Sequence, residues 1–364
     1  MRKKFVIVLV ILLGGVLLSA CTGGPVHGST WPGLAADGNT AYLADGPFVY
    51  AINISDGREI WRYPGEGGDG LAFYSTPAIT PDGLVIVGSA GTNYSLIALD
   101  PSDVSNNVPA EAWRFTEAND HWRAAPLVVE DKLFAANSDG NLYILDLQDG
   151  QSVKEATVVN MDGRLWSQPI SDGERVYLTS LDHSVIAVDV NTYDILWRQD
   201  LGGAVPGSAV LSDDGTLYVG SLASRLERFD PATGDHQPVV DAANWVWSAP
   251  ALEGDTLYFS DVDGNFYSVD TATGNLNWSV RPDGPVTASP LIQDDHILLA
   301  TESGSVYAVG RDGSVLWSEE IGGKIYTTPV DAGDLVLVAP LETEFYLAAL
   351  DENGRQIWTF TPGE

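Results

Sequence analysis

The chain has 364 residues, 45% of them hydrophobic, and carries 50 acidic against 18 basic side chains, a formal charge of −32. A surface this negative is repelled by nucleic acid and by anionic lipid headgroups, so no nucleic-acid partner is expected. The single cysteine excludes an internal disulfide, a cysteine-based metal site and a haem-attachment motif. At the start of the chain, Arg2, Lys3 and Lys4 form a positive region, and the sixteen residues from Phe5 to Ala20 carry no charge. That run is short for a membrane span and reads as the core of a signal peptide over residues 1–20.

Leu18-Ser19-Ala20-Cys21 resembles the bacterial lipobox, in which the cysteine becomes the lipidated first residue of the mature chain. The resemblance implies export and a lipid anchor at Cys21, with the protein on the periplasmic or extracellular face of a membrane. Residues 21–28 then read as the lipidated cysteine and a flexible tether. Without the three leader cations the balance is 15 basic against 50 acidic side chains, a formal charge of −35. Much of the acid is Asp in turn sequences, so charge alone marks no site.

From residue 29 to 364 the chain is a run of short apolar strands punctuated by Asp-Gly, Asn-Gly and Gly-Gly, with no sustained helical period. The spacing predicts an all-β protein. Each unit opens on a short strand near a proline, passes two turns, and ends on a strand that carries a tryptophan. A fixed position in the third strand recurs at Asn53, Asp100, Asp146, Asp189, Asp230, Asp270, Gly310 and Asp351, at intervals of 40 to 47 residues. Four strands per unit at this period is propeller spacing. The expectation is one eight-bladed β-propeller of four-stranded antiparallel blades over residues 29–364, with seven blades as the alternative.

The repeated phrase, as in Ser268-Val-Asp270-Thr-Ala-Thr-Gly274-Asn-Leu-Asn-Trp278, resembles the tryptophan-docking motif of the pyrroloquinoline-quinone (PQQ) repeat propellers. The whole chain is similar to the lipid-anchored members of that family, including the propeller lipoprotein of the outer-membrane β-barrel assembly machinery. The Asp can accept hydrogen bonds from the following turn, the Gly supplies a positive φ, and the Trp can wedge against the neighbouring blade. Trp61, Trp113, Trp197, Trp278, Trp317 and Trp358 are the expected wedges. Lys154 and Pro238 stand in the Trp position of units three and five, so blade contacts should be weakest there.

Catalytic and metal motifs are scarce. The five histidines are scattered and read as surface residues. Asp261-Val-Asp263-Gly264-Asn265 starts like a calcium loop, but Phe266 and Ala272 stand where that loop needs Gly and Glu, so a hairpin turn is expected and no metal. The family's quinoenzymes add a disulfide beside the cofactor and a calcium held by carboxylate and amide ligands. No such set is visible here, so no cofactor is expected, and PQQ with calcium is left to experiment.

The residues just before the opening strands should gather at one mouth of the central channel. They supply Tyr74, Trp122, Arg123, Arg164, Trp166, Trp245, Trp247, Lys324 and Tyr326, the kind of aromatic and basic side chains that dominate binding hot spots. The expected function is a monomeric, membrane-anchored, non-enzymatic interaction scaffold that binds a protein partner or an anionic ligand at this mouth. A quinone-binding oxidoreductase and a glycan-binding surface module are the alternatives.

Overall fold

The computed structural model describes residues 31–68, 70–153 and 158–363. The expected leader, Cys21, the tether and Lys154 lie outside the described residues. The described chain forms eight sheets of four antiparallel strands, each strand paired with its sequence neighbour, at residues 33–63, 78–115, 127–160, 170–200, 210–241, 251–280, 291–320 and 330–360. This is an eight-bladed β-propeller.

The near-continuous apolar runs of the second and third strands follow from the architecture. Each blade is covered on both faces by its neighbours, so both side-chain sets of a strand are buried. Eight apolar cores result, one for each of the eight blade interfaces. The eighth closes the ring, with Leu34, Tyr50 and Ile52 of blade one packed with Leu337, Tyr346 and Phe360 of blade eight. No strand is exchanged between first and last blades among the described residues. Closure rests on that core, on Trp358 Nε1 donating to the Ile54 carbonyl at 2.8 Å, and on Thr327 Oγ1 donating to the Pro32 carbonyl at 2.6 Å.

The repeated phrase has a mechanical reading in three parts. The Asp caps its own turn: Asp189 Oδ1 accepts from the backbone N–H of Asn191 and Thr192, and Asp230 Oδ1 from Ala232 and Thr233. The Trp sits across the strand pair from a small residue, as in Ala51 with Trp61, Ala187 with Trp197 and Ser268 with Trp278, and the register slips at that point. The indole then crosses to the next blade. Trp113 Nε1 donates to Leu147, Trp197 to Pro231, Trp278 to Arg311 and Trp317 to Glu352, each the carbonyl just after the capping position.

The receiving glycine has a second role beyond its positive φ. A Cβ on Gly234 would lie 2.7 Å from the Trp197 ring, and one on Gly150 would lie 2.5 Å from Trp113. So the indole of one blade lies flat against the turn glycine of the next. Blade four shows the converse. Its turn carries Tyr193 at the glycine position, at φ 65°, and the preceding blade has Lys154 instead of Trp. Tyr193 is buried beside Phe134 and occupies the interface itself.

The wedges are unequal. Trp61, Trp113 and Trp197 are buried, whereas Trp278, Trp317 and Trp358 remain half-buried. Trp61 is the most enclosed because the strands Leu96–Ser105 and Val108–Phe115 run on into a long hairpin. That hairpin folds back on blade one, where the Arg62 amide donates to the Asn107 carbonyl at 3.1 Å. Glu111 accepts from the Tyr63 hydroxyl at 2.5 Å, and Arg114 pairs with the same Glu111 at 2.8 Å.

Candidate functional site

In a four-stranded meander the blade-to-blade connections and the turns between second and third strands share one face of the ring. The residues before each opening strand therefore meet at the channel mouth. Counting back from the recurrent prolines of the opening strands (Pro77, Pro126, Pro169, Pro250, Pro329) sorts their side chains. Four residues back stand Phe73, Trp122, Leu165, Val246 and Ile325, each no more than 1% exposed. Three residues back stand Tyr74, Arg123, Trp166, Trp247 and Tyr326, which face the mouth, and five back stand Arg164, Trp245 and Lys324 on its outer rim.

Trp122 is therefore a correction. It is 1% exposed, donates its Nε1 to the Tyr94 carbonyl at 2.9 Å, and packs on Phe115 and Tyr143 between blades two and three. It is core, in step with Leu165 and Val246. The rim residues Arg164, Trp245 and Lys324 are also outside the pocket: Trp245 is 50% exposed, and Lys324 Nζ is 2.9 Å from Glu342. That pairing raises the Lys324 pKa above its ordinary value.

Of the predicted residues, Tyr74, Arg123, Trp166 and Tyr326 line a cavity of about 490 Å³ together with Trp31 and Gln168, whereas Trp247 is outside its lining and meets it only through Trp31. Trp31 is a site residue that sequence reasoning missed. It stacks on Tyr326 at 5.0 Å with the rings 12° apart, and meets Trp247 edge-on at 5.8 Å. Across the cavity the Arg123 guanidinium lies 5.0 Å from the Trp166 ring centroid. Burial, then the charge of Glu302, pushes the Tyr326 phenol up, so it stays a neutral donor. The hydroxyls are partly committed, with Ser208 donating to the Gln168 carbonyl and Thr328 accepting from the Ser289 amide.

A larger cavity, about 850 Å³, opens on the opposite face between blades five and six. It is the gap at the interface where Pro238 replaces the docking indole. Its walls include Arg228 and His236 with several turn aspartates, of which Asp214 and Asp230 are already engaged by their own turns. Beneath it Glu227, 3% exposed, is hydrogen-bonded to His236. These groups satisfy one another, so size alone does not make this the better site. His296, at 7% exposed beside Asp295, is buried rather than a surface residue, whereas His236 is exposed. Asp261 is a buried turn cap that accepts from the Asp263 and Asn265 amides and the Tyr267 hydroxyl, as the hairpin reading requires.

The family model described as outer membrane protein assembly factor BamB matches residues 15–239 and 290–364. The chain belongs to that family. The Pseudomonas aeruginosa BamB is 30% identical over 161 residues, covering 39% of this chain and 42% of that protein. The Escherichia coli BamB is 31% identical over 146 residues, covering 39% and 36%. The chain thus spans less than half the length of the curated relatives it matches. A 1-butanol dehydrogenase (quinone) from Thauera butanivorans is 24% identical over 182 residues, 44% of this chain and 28% of that protein. Among solved structures, BamB from Moraxella catarrhalis superposes with a TM-score of 0.69 at 19% identity over 91% of this chain and 94% of its own, and a europium-containing methanol dehydrogenase with 0.69 at 16% over 87% and 83%. These two likenesses show the fold.

The quinoenzyme relatives make it necessary to ask whether this BamB-family chain suits a quinone held by calcium. No carboxylate lines the mouth cavity, and no group of three His, Cys, Asp or Glu side chains converges among the described residues. A divalent cation needs several oxygen ligands, carboxylates foremost, so the residues present do not fit that group.

Proposed function

We propose that this BamB-family propeller is a non-enzymatic interaction module of the cell envelope, lipid-anchored through Cys21, that engages a protein partner at the channel mouth. The observation that carries the reading is the mouth itself. In a chain of 50 acidic residues, it gathers four aromatic rings and a guanidinium around a cavity with no acidic side chain in its lining. Aromatic and Arg side chains give large contact area at low entropic cost and dominate binding energy. The relatives described as outer membrane protein assembly factors support a partner that is protein.

The combined variant Trp31→Ala, Trp166→Ala, Tyr326→Ala is expected to abolish partner capture from native envelopes while the melting temperature changes little. Undiminished capture refutes the site. Cys21→Ser is expected to release the protein from the membrane fraction. The quinone reading, favoured by the similarity to a quinone-dependent dehydrogenase, is tested by adding pyrroloquinoline quinone with calcium. A thermal shift accompanied by dye reduction would replace the scaffold reading with an enzymatic one.

A further inference from the structure

We propose that the cavity inside the mouth is a carboxylate-binding pocket, which takes an acidic residue flanked by aromatic or apolar neighbours from a partner protein segment; this rests on the partner-binding reading above and gives that partner its chemistry. The first observation is charge. Among the described residues Arg123 forms no ion pair and is the single cation lining the cavity, and no Asp or Glu lines it. Elsewhere the chain pairs its arginines readily, as in Arg62 with Glu59, Arg175 with Asp172 and Arg311 with Glu253. A half-buried guanidinium without a counter-ion, inside a chain of formal charge −32, is a local reversal of the field that attracts an anion.

The second observation is how Arg123 is held. It lies over Trp166, so its planar fork is pre-oriented, and less entropy is lost when two parallel N–H donors meet a carboxylate. Trp166 adds a third. Its Nε1 is shielded and has no acceptor among the described residues, whereas five of the six docking indoles donate to a backbone carbonyl. An unpartnered N–H thus lies beside the unpaired guanidinium on one wall of the cavity.

The walls limit what carries the carboxylate. A volume of about 490 Å³ suits a few residues of extended chain, and the Trp31–Tyr326 stack with Trp247 at its edge presents ring faces and edges to a flanking aromatic. A bare metal cation finds no anionic ligand here. On the rim, Lys324 is neutralised by Glu342, so the attraction is focused inside the mouth.

The test titrates the full chain in detergent with four peptides, followed by tryptophan fluorescence and calorimetry. They are N-acetyl-Phe-Asp-Phe-amide, its Asn and Lys counterparts, and N-acetyl-Phe-Phe with a free C-terminus. The Asp peptide is expected to bind at least about tenfold more tightly than the Asn peptide, the Lys peptide more weakly still, and the difference to shrink with added salt. The free-acid peptide, against its amide, separates a chain terminus from a side chain as the source of the carboxylate. Arg123→Gln is expected to erase the Asp-over-Asn preference with the fold intact by circular dichroism, and Arg123→Lys to restore part of it. Equal binding of Asp and Asn peptides, an unchanged preference in Arg123→Gln, or no binding by any probe overturns the proposal. Should the triple mouth variant lose partner capture while the peptides show no preference, the scaffold reading stands and the carboxylate assignment falls. A carboxylate preference with undiminished capture in that variant has the opposite meaning.

Discussion

Replacing Gly234 with Ala tests the blade contact more sharply than deleting a tryptophan. The added Cβ would lie 2.7 Å from Trp197 Cδ2 and 2.8 Å from its Cγ, against an ordinary carbon–carbon contact of about 3.5–4.0 Å. The ring must retreat by roughly 1 Å, which breaks the 2.9 Å bond from its Nε1 to the Pro231 carbonyl. Overpacking costs about 1–3 kcal/mol, the lost hydrogen bond about 1 kcal/mol, and a left-handed alanine about 1–2 kcal/mol. The sum is about 3–6 kcal/mol. Gly333 is the matched control, with φ 78° against 75° and no atom within 4 Å of its would-be Cβ. Gly333→Ala carries the backbone strain alone, about 1–2 kcal/mol. Guanidinium denaturation followed by circular dichroism ranks the two. In a Trp197→Ala background, Gly234→Ala is expected to cost no more than Gly333→Ala, a coupling of about 2–4 kcal/mol. Equal midpoints for the two single glycine variants, or additivity in the cycle, would refute the idea that the glycine exists to receive the indole.

Three further outcomes are expected. Trp61→Ala, under its hairpin, should lower stability by about 3–5 kcal/mol, and Trp317→Ala, half-exposed, by clearly less, read as the difference in denaturation midpoint. Tyr193→Gly should destabilise by about 2–4 kcal/mol although glycine suits φ 65° better, because the phenol fills the interface that the neighbouring blade leaves without an indole; a neutral or stabilising result would remove that role. The hydrogen bond from Arg114 holds the Glu111 carboxyl below its ordinary range. A depressed folded value means that its contribution is complete above the unfolded carboxylate pKa and is lost as pH falls through the folded one. Below about pH 4.3 the wild type should therefore lose stability faster than Glu111→Gln, measured as melting temperature against pH.

The architecture was legible because the phrase combines three residue types whose physical roles are independent: a turn cap, a left-handed glycine and a blade-spanning indole. Their shared spacing gives the number of blades directly. Trp122 was misplaced by one residue, since reading it with Arg123 as an aromatic–basic pair ignores the register set by Pro126; one step along a strand reverses the face. Trp31 was missed for a different reason. Its partners, Tyr326 and Trp247, come from blades eight and six, and only ring closure brings the start of the chain beside them. The long insert around Asn106 and Asn107 was visible as extra length, but its seal over Trp61 depends on a contact between blades. Tyr193, by contrast, was readable in principle, as a large residue at a glycine position following a blade without its Trp.

The place of Trp31 also sets a leash. It lies ten residue steps after Cys21, a span of at most about 36 Å when fully extended. Were Cys21 lipidated as proposed, the side of the ring that holds Trp31 would be held within that distance of the bilayer. A partner segment tethered close to that surface would then meet the pocket at high effective concentration. Lengthening the leash, without touching any contact residue, should weaken such capture.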